Sequence, residues 1–358
     1  MRSEFQPRGA RTSARWTGKG RFVLVEGVKN LDDRNCVSGG GCANPQGARL
    51  TPRQTPTLRL NVMLFQGVQN LPLYAAQQKG FFAGRGLAVD LPVAPNSEEL
   101  RNGLAEGRYQ IVHTSVDNAV AMAELAKVDT LVFIGGDNGF NHLFVQPDVG
   151  SLEDLRGKTV VVDAPDTAFA LILYKVLKNH GLNRGDYAVK SLGATRFRLE
   201  GMRDEKSYKA SMLNLPFAIH AERAGLKDMG VAVDMIGPYQ STTGFALRSW
   251  ASENAGALVR YVQAYVEGLR WTLDPANRAE AIGMLAAGLY LPQDIATRCY
   301  EIATDPQGGF AIDAKFDLPG FRNVLELRAE IEGQWGGNPP PPERYIDLTY
   351  YERAMKGL

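Results

Sequence analysis

Cysteine is scarce in this chain, with three among 358 residues: Cys36, Cys42 and Cys299. That number supports neither a disulfide framework nor a zinc site, although Cys36 and Cys42, flanking a glycine-rich run, are spaced to pair in an oxidising compartment. Cys299 falls at an apolar position of an expected helix and reads as core. The four histidines, His113, His142, His180 and His220, lack ligand spacing, so neither a metal nor any other cofactor is expected. No apolar run approaches the roughly 20 residues of a membrane-spanning helix. A secretory leader is not readable either. Arg2, Arg8, Arg11 and Arg15 would serve as its basic part, but Phe22 to Val25 is too short an apolar core and Glu26 ends it. Net charge is missing as well, at +1 overall. Residues 1–56 hold ten Lys/Arg against four Asp/Glu, which leaves the remainder at −5. A slightly acidic body does not suit a phosphate backbone, so nucleic acid is excluded as the main partner.

What the chain does have is apolar content of 44% with 22% charge, enough to bury two cores. Residues 1–56 mix Gly, Arg, Ser, Asn and Pro without periodicity and read as a disordered leader or a mis-set start. Alternation then predicts a strand over 58–64, a helix from Pro72 to Lys79, and a second strand over 87–93. A helix that Ser97 could cap follows. Tyr109 to Thr114 alternates as a strand and passes at Ser115 into the helix of Val116, Ala119, Val120 and Ala123. The run Thr130 to Ile134 is apolar throughout, as a strand buried on both faces is. Strands separated by helices imply a mostly parallel sheet. After His142 to Gln146 the pattern restarts: strand 158–162, an apolar helix over 168–177, a short strand over 187–191, a helix from about Arg198, the run 212–217 with a small helix ending at Gly225, and Val231 to Ile236 closing the unit. The restart points to a second α/β lobe. The expected division is lobe I from 57–142 and 243–338, lobe II from 147–238, and a terminal strap over 339–358.

Two crossings, near 142–146 and 237–247, would then form a hinge with a cleft between the lobes. In open α/β sheets the strand-to-helix corners line the ligand crevice. Here lobe I offers Gln66, Gly67, Gln69 and Asn70, then Thr114, Ser115, Asp117 and Asn118, then Asp137 and Asn138. Lobe II offers Asp163, Asp166 and Thr167, then Thr195, then Asn214 and Phe217, and lastly Tyr239 and Gln240 in the second crossing. Glycines let backbone amides approach a ligand, and carboxamides and hydroxyls orient it. Each residue also has an ordinary structural role: acidic residues at helix starts complement the dipole, and asparagines favour turns. Repetition of the same polar chemistry at several corners is what points to binding.

The stretch Leu71-Pro72-Leu73-Tyr74-Ala75-Ala76-Gln77-Gln78-Lys79-Gly80-Phe81-Phe82, followed by Gly86 to Asp90, resembles the opening of the nitrate/sulfonate/taurine-type substrate-binding proteins of ABC importers. Thr114-Ser115 and Ser151-Leu152-Glu153-Asp154-Leu155-Arg156-Gly157-Lys158 agree, and the likeness spans about residues 57–332. It implies a two-lobed periplasmic-binding-protein fold of type II. It further implies a periplasmic protein that closes on one small molecule and delivers it to an ABC permease. The corners named above become the implied ligand contacts.

The corners also depart from an anion binder. Asp117, Asp137, Asp163 and Asp166 have no Lys or Arg beside them in sequence, and Arg196 and Arg198 are the nearest basic residues. An uncompensated carboxylate in a closed cleft favours an amine or a cationic heteroaromatic ring. Two enzyme types resemble this fold as well, thiamine-pyrimidine synthesis and aromatic sulfinate desulfination. The first would want a cysteine-rich iron motif and a histidine, of which His113 is a weak echo. The second would want a nucleophilic cysteine, and Cys299 lies far from every corner. A binding protein, not an enzyme, is therefore the expectation.

Overall fold

The computed structural model describes residues 57–358 and, before them, two short strands, β1 (Arg15–Thr17) and β2 (Arg21–Val23), paired antiparallel. Apart from those strands, the segment read as a leader lies outside the described residues, and so do Cys36 and Cys42. Residues 57–358 belong to one compact unit.

In that unit β3 (Leu58–Leu64) leads through α1 (Leu71–Gln78) and α2 (Phe81–Gly84) to β4 (Leu87–Asp90). Pro72 sits in the first turn of α1, where its missing N–H costs nothing, and Gly80 at φ 78 takes the left-handed turn that ends the helix. Then come α3 (Ser97–Ala105), β5 (Ile111–Ser115), α4 (Val116–Glu124) and β6 (Thr130–Ile134). The cap of α3 is Asn96, whose side chain accepts the Glu99 N–H at 2.8 Å, and Ser97 is already helical. Every residue of β5 and β6 is buried, as their composition predicts.

The chain crosses to β7 (His142–Val145) and continues through β8 (Thr159–Val162), α5 (Ala168–Asn179), β9 (Ala188–Ser191) and α6 (Thr195–Asp204). β10 (Tyr208–Leu213), α7 (Phe217–Arg223), β11 (Lys227–Val231) and α8 (Ala232–Ile236) follow. The run 231–236 that closes this unit is the end of β11 followed by the short helix α8. β12 (Thr242–Leu247) returns, and helices complete the body: α9 (Arg248–Glu253), α10 (Ala255–Leu273), α11 (Arg278–Leu289), α12 (Gln293–Ala303), α13 (Leu318–Glu332) and α14 (Thr349–Met355).

Two five-stranded sheets result, in the orders β4-β3-β5-β12-β6 and β11-β7-β10-β8-β9. Each holds four parallel strands and one reversed strand, and the reversed ones, β12 and β7, carry the two crossings. Helix α10 buries Leu258, Val262, Tyr265, Val266 and Leu269 on the first sheet, each worth up to about 1.5–3 kcal/mol of apolar burial. It approaches α1 so closely that a Cβ on Gly268 would stand 2.3 Å from the Pro72 carbonyl oxygen. The outer edge of β6 is covered by the C-terminal segment. Val132 donates to the Tyr345 carbonyl at 2.9 Å, and Asp347 donates back to the Val132 carbonyl at 2.9 Å.

Candidate functional site

The crossings are bonded to each other. Ser241 N–H donates to the Asp137 carbonyl at 3.0 Å, and the Gln240 amide donates to that same carbonyl at 3.2 Å and to Thr242 O at 2.9 Å. Gln240 Oε1 accepts the Asp317 N–H at 2.8 Å, which ties the entry of α13 to the same junction. A Cβ on Gly136 would stand 2.7 Å from the Thr242 carbonyl oxygen, so only glycine permits the two backbones to lie this close.

Beside the junction β5 ends and α4 begins. Thr114 and Ser115 are buried where they pair with Thr243 and Thr242, and Asp117 is 2% exposed in the first turn of the helix. Its partner is Arg328, 211 residues away on α13. Nε donates to Oδ1 at 2.6 Å and Nη2 to Oδ2 at 2.7 Å. Arg328 is fully buried. Burial works against its charge, but the Asp117 carboxylate outweighs burial and raises the guanidinium above its ordinary value. Nη2 also reaches the Asp166 carbonyl at 3.4 Å. Asp117 belongs to a helix on the first sheet and Asp166 to the loop after β8 of the second, so one guanidinium touches both. Tyr239, buried, stands against the pair, with burial and then the Asp117 charge pushing its phenol up.

In the loop after β8 Thr167 Oγ1 donates to Asp163 Oδ1 at 2.6 Å. Arg198, 1% exposed, approaches Asp163 at 3.9 Å and donates to the Gly193 and Met212 carbonyls at 2.9 and 3.0 Å and to Thr195 Oγ1 at 3.0 Å. Burial lowers its pKa, and Asp163 opposes that shift.

The other expected contacts bond only in part, and Asn70 Oδ1, Asp137 Oδ2 and Asn214 Oδ1 are buried without a hydrogen-bond partner. Asn70 donates to the Phe65 carbonyl at 2.6 Å, and Asn138 spans from Phe140 N–H at 3.1 Å to the Gly308 carbonyl at 3.3 Å. Asp137 accepts the Gly139 N–H at 2.7 Å, and burial pushes its carboxyl up to about 6. Gln66 is exposed, Gly67 buried, Gln69 and Asn118 partly buried, and Asn214 buried with Phe217 partly so at the start of α7. His113 lies at 4.9 Å from the ring of Tyr265 and 5.8 Å from that of Tyr261, and burial lowers it to about 3. It is a core histidine.

The structure corrects one premise drawn from the sequence: Asp117 is not uncompensated. Its cation comes from a helix that no local motif links to it. The signal was present in the spacing of Phe321, Val324 and Leu325 with Arg328, where an arginine falls on the apolar face of an amphipathic helix.

The NMT1/THI5-like family profile matches residues 68–279, over half of the chain and across both sheets. The chain belongs to this family. None of the curated proteins compared with it matches. Among solved structures, a protein of Bordetella bronchiseptica RB50 superposes with a TM-score of 0.72 at 17% identity, covering 84% of this chain and 97% of its own. The periplasmic nitrate-binding protein NrtA of Synechocystis PCC 6803 gives 0.70 at 13%, covering 85% and 89%. The alkanesulfonate-binding protein SsuA of Xanthomonas axonopodis pv. citri, bound to MOPS, gives 0.64 at 14%, covering 80% and 96%. The fold of this NMT1/THI5-like chain is therefore that of the periplasmic binding proteins of ABC importers.

Proposed function

We propose that the chain is the extracytoplasmic solute-binding component of an ABC importer. It closes two lobes, built on the two sheets, around a small organic molecule that a permease receives. The observation that carries this reading is Arg328, which bonds Asp117 on a helix of the first sheet and the Asp166 carbonyl in a loop of the second. Nitrate and alkanesulfonate binding by the neighbours NrtA and SsuA supports a solute-binding role.

The charge of the cleft supports a narrower reading. Asp117 is neutralised by Arg328, and Asp163 faces Arg198. Asp137 and Asp166 have no ion-pair partner among the described residues, and they are the carboxylates left to meet an amine or a protonated heteroaromatic ring. Cys299, buried and pushed up to about 12 by that burial, holds no thiolate at neutral pH, which favours binding over thiol catalysis.

Native mass spectrometry of the purified protein identifies what it carries, and small-angle scattering then follows closure. A tight ligand is expected to reduce the radius of gyration. A chain that stays equally extended with every tight ligand would overturn the reading. For a cationic ligand, Asp166→Asn is expected to weaken affinity about tenfold, the scale of one lost charge-assisted contact.

A further inference from the structure

α6 and α7 flank an open groove of about 690 Å³, the size of a small-molecule site, and Phe217, expected at the cleft, lines it. Four of its lining side chains are Arg196, Arg203, Lys206 and Arg223, gathered on a body whose overall charge is negative. Glu200 in the lining pairs with Arg196 at 2.8 Å, and Asp294 pairs with Arg223. Arg203 and Lys206 have no carboxylate partner among the described residues. Leu199, Phe217 and Ala224 add an apolar wall. A second observation reports the field inside the groove: His220 is lowered first by burial and then by the charges of Arg223 and Arg203. Clustered cations repel one another, and that cost is relieved when an anion sits among them.

We propose that the α6–α7 groove is a second ligand site, which takes a compact, multiply charged anion with a small apolar part, such as an organic phosphate. Arg203 and Lys206 supply the uncommitted charge, and Phe217 packs against the apolar part. Arg223 in the lining reaches Asp294 on α12, so the groove borders the contact between α7 and that later helix.

Isothermal titration of the full chain with sodium tripolyphosphate at low ionic strength tests it. The chain is expected to bind, with affinity falling steeply as salt is added. Both free cations are exposed, so the charge reversal Arg203→Glu with Lys206→Glu should leave the fold intact and lose at least tenfold in Kd. The remote reversal Arg353→Glu with Lys356→Glu, on α14 and just past its end, should lose less than twofold. Proton NMR adds a local readout: the His220 ring, assigned by the loss of its resonance in His220→Gln, should titrate at higher pH once the anion is bound. Absence of binding, equal losses in the two reversals, or a His220 titration unmoved by bound anion would each overturn the proposal. Titration reads anion binding and scattering reads closure, so the two readings fail separately.

Discussion

Asp137 and His113 are buried ionisable residues whose effects on stability run in opposite directions. Asp137 rises from 3.8 to about 6 on folding, so the folded state binds the extra proton and stability falls as pH climbs from about 4 to 6. Each unit is worth about 1.4 kcal/mol, and the whole window roughly 3 kcal/mol. His113 drops from 6.5 to about 3. Here the unfolded state binds the extra proton, so stability is lost as pH falls below 6.5. The two slopes oppose each other, and the wild-type melting temperature should change little between pH 4 and 6. Asp137→Asn should become acid-labile over that range, and His113→Gln should become more stable towards acid. Parallel pH dependence of the two variants in thermal melts would refute the assignment. Arg328 and Asp117 pose a different case, in which removal of one partner strands the other in the interior. Asp117→Asn or Arg328→Met should each cost about 3–5 kcal/mol in urea denaturation, while the double variant Asp117→Leu with Arg328→Met recovers most of that loss. A double variant no more stable than either single would show that the pair is not what the site depends on.

At the level of elements, α1 and α10 touch through a missing side chain. Gly268→Ala places a methyl group against the Pro72 carbonyl, and forcing those helices apart should cost about 1–3 kcal/mol, read as a lowered denaturation midpoint with an unchanged m-value. Gly283, on α11, would meet nothing within 4 Å and serves as the tolerant control. The same scale shows what sequence reasoning reaches. Strands such as Thr130–Ile134 and the stripe on α10 announce themselves, because burial on both faces or on one leaves a period in the residues. The corners at Ser115 and Thr167 follow from where those periods change. Which strand runs backwards leaves no such trace: β12 and β7 carry ordinary apolar residues, and their direction is set by where the crossings enter. That the buried arginine of α13 pairs with Asp117 was not legible for a related reason. It arrives through tertiary packing of α13 on α5, held by Lys175 to Glu330 at 2.6 Å, and sequence distance does not encode it. The short segment 232–236 is ambiguous in itself, since five residues complete barely more than one helical turn.

For the whole molecule, the proposed closure would rest on how many contacts join the halves built on the two sheets. Arg328 on α13 bonds Asp117 on one side and Asp166 on the other, so Arg328→Met should enlarge the ligand-free radius of gyration in small-angle scattering. An unchanged radius would mean that the pair moves with a single lobe and takes no part in closure. The strand orders carry a consequence for biosynthesis. All five strands of the second sheet lie between residues 142 and 231, whereas the first sheet must wait for β12, which separates β5 from β6. A ribosome therefore releases a finished inner half while the outer half still has a gap in its middle, and the earlier portion must stay unaggregated until residue 247 emerges.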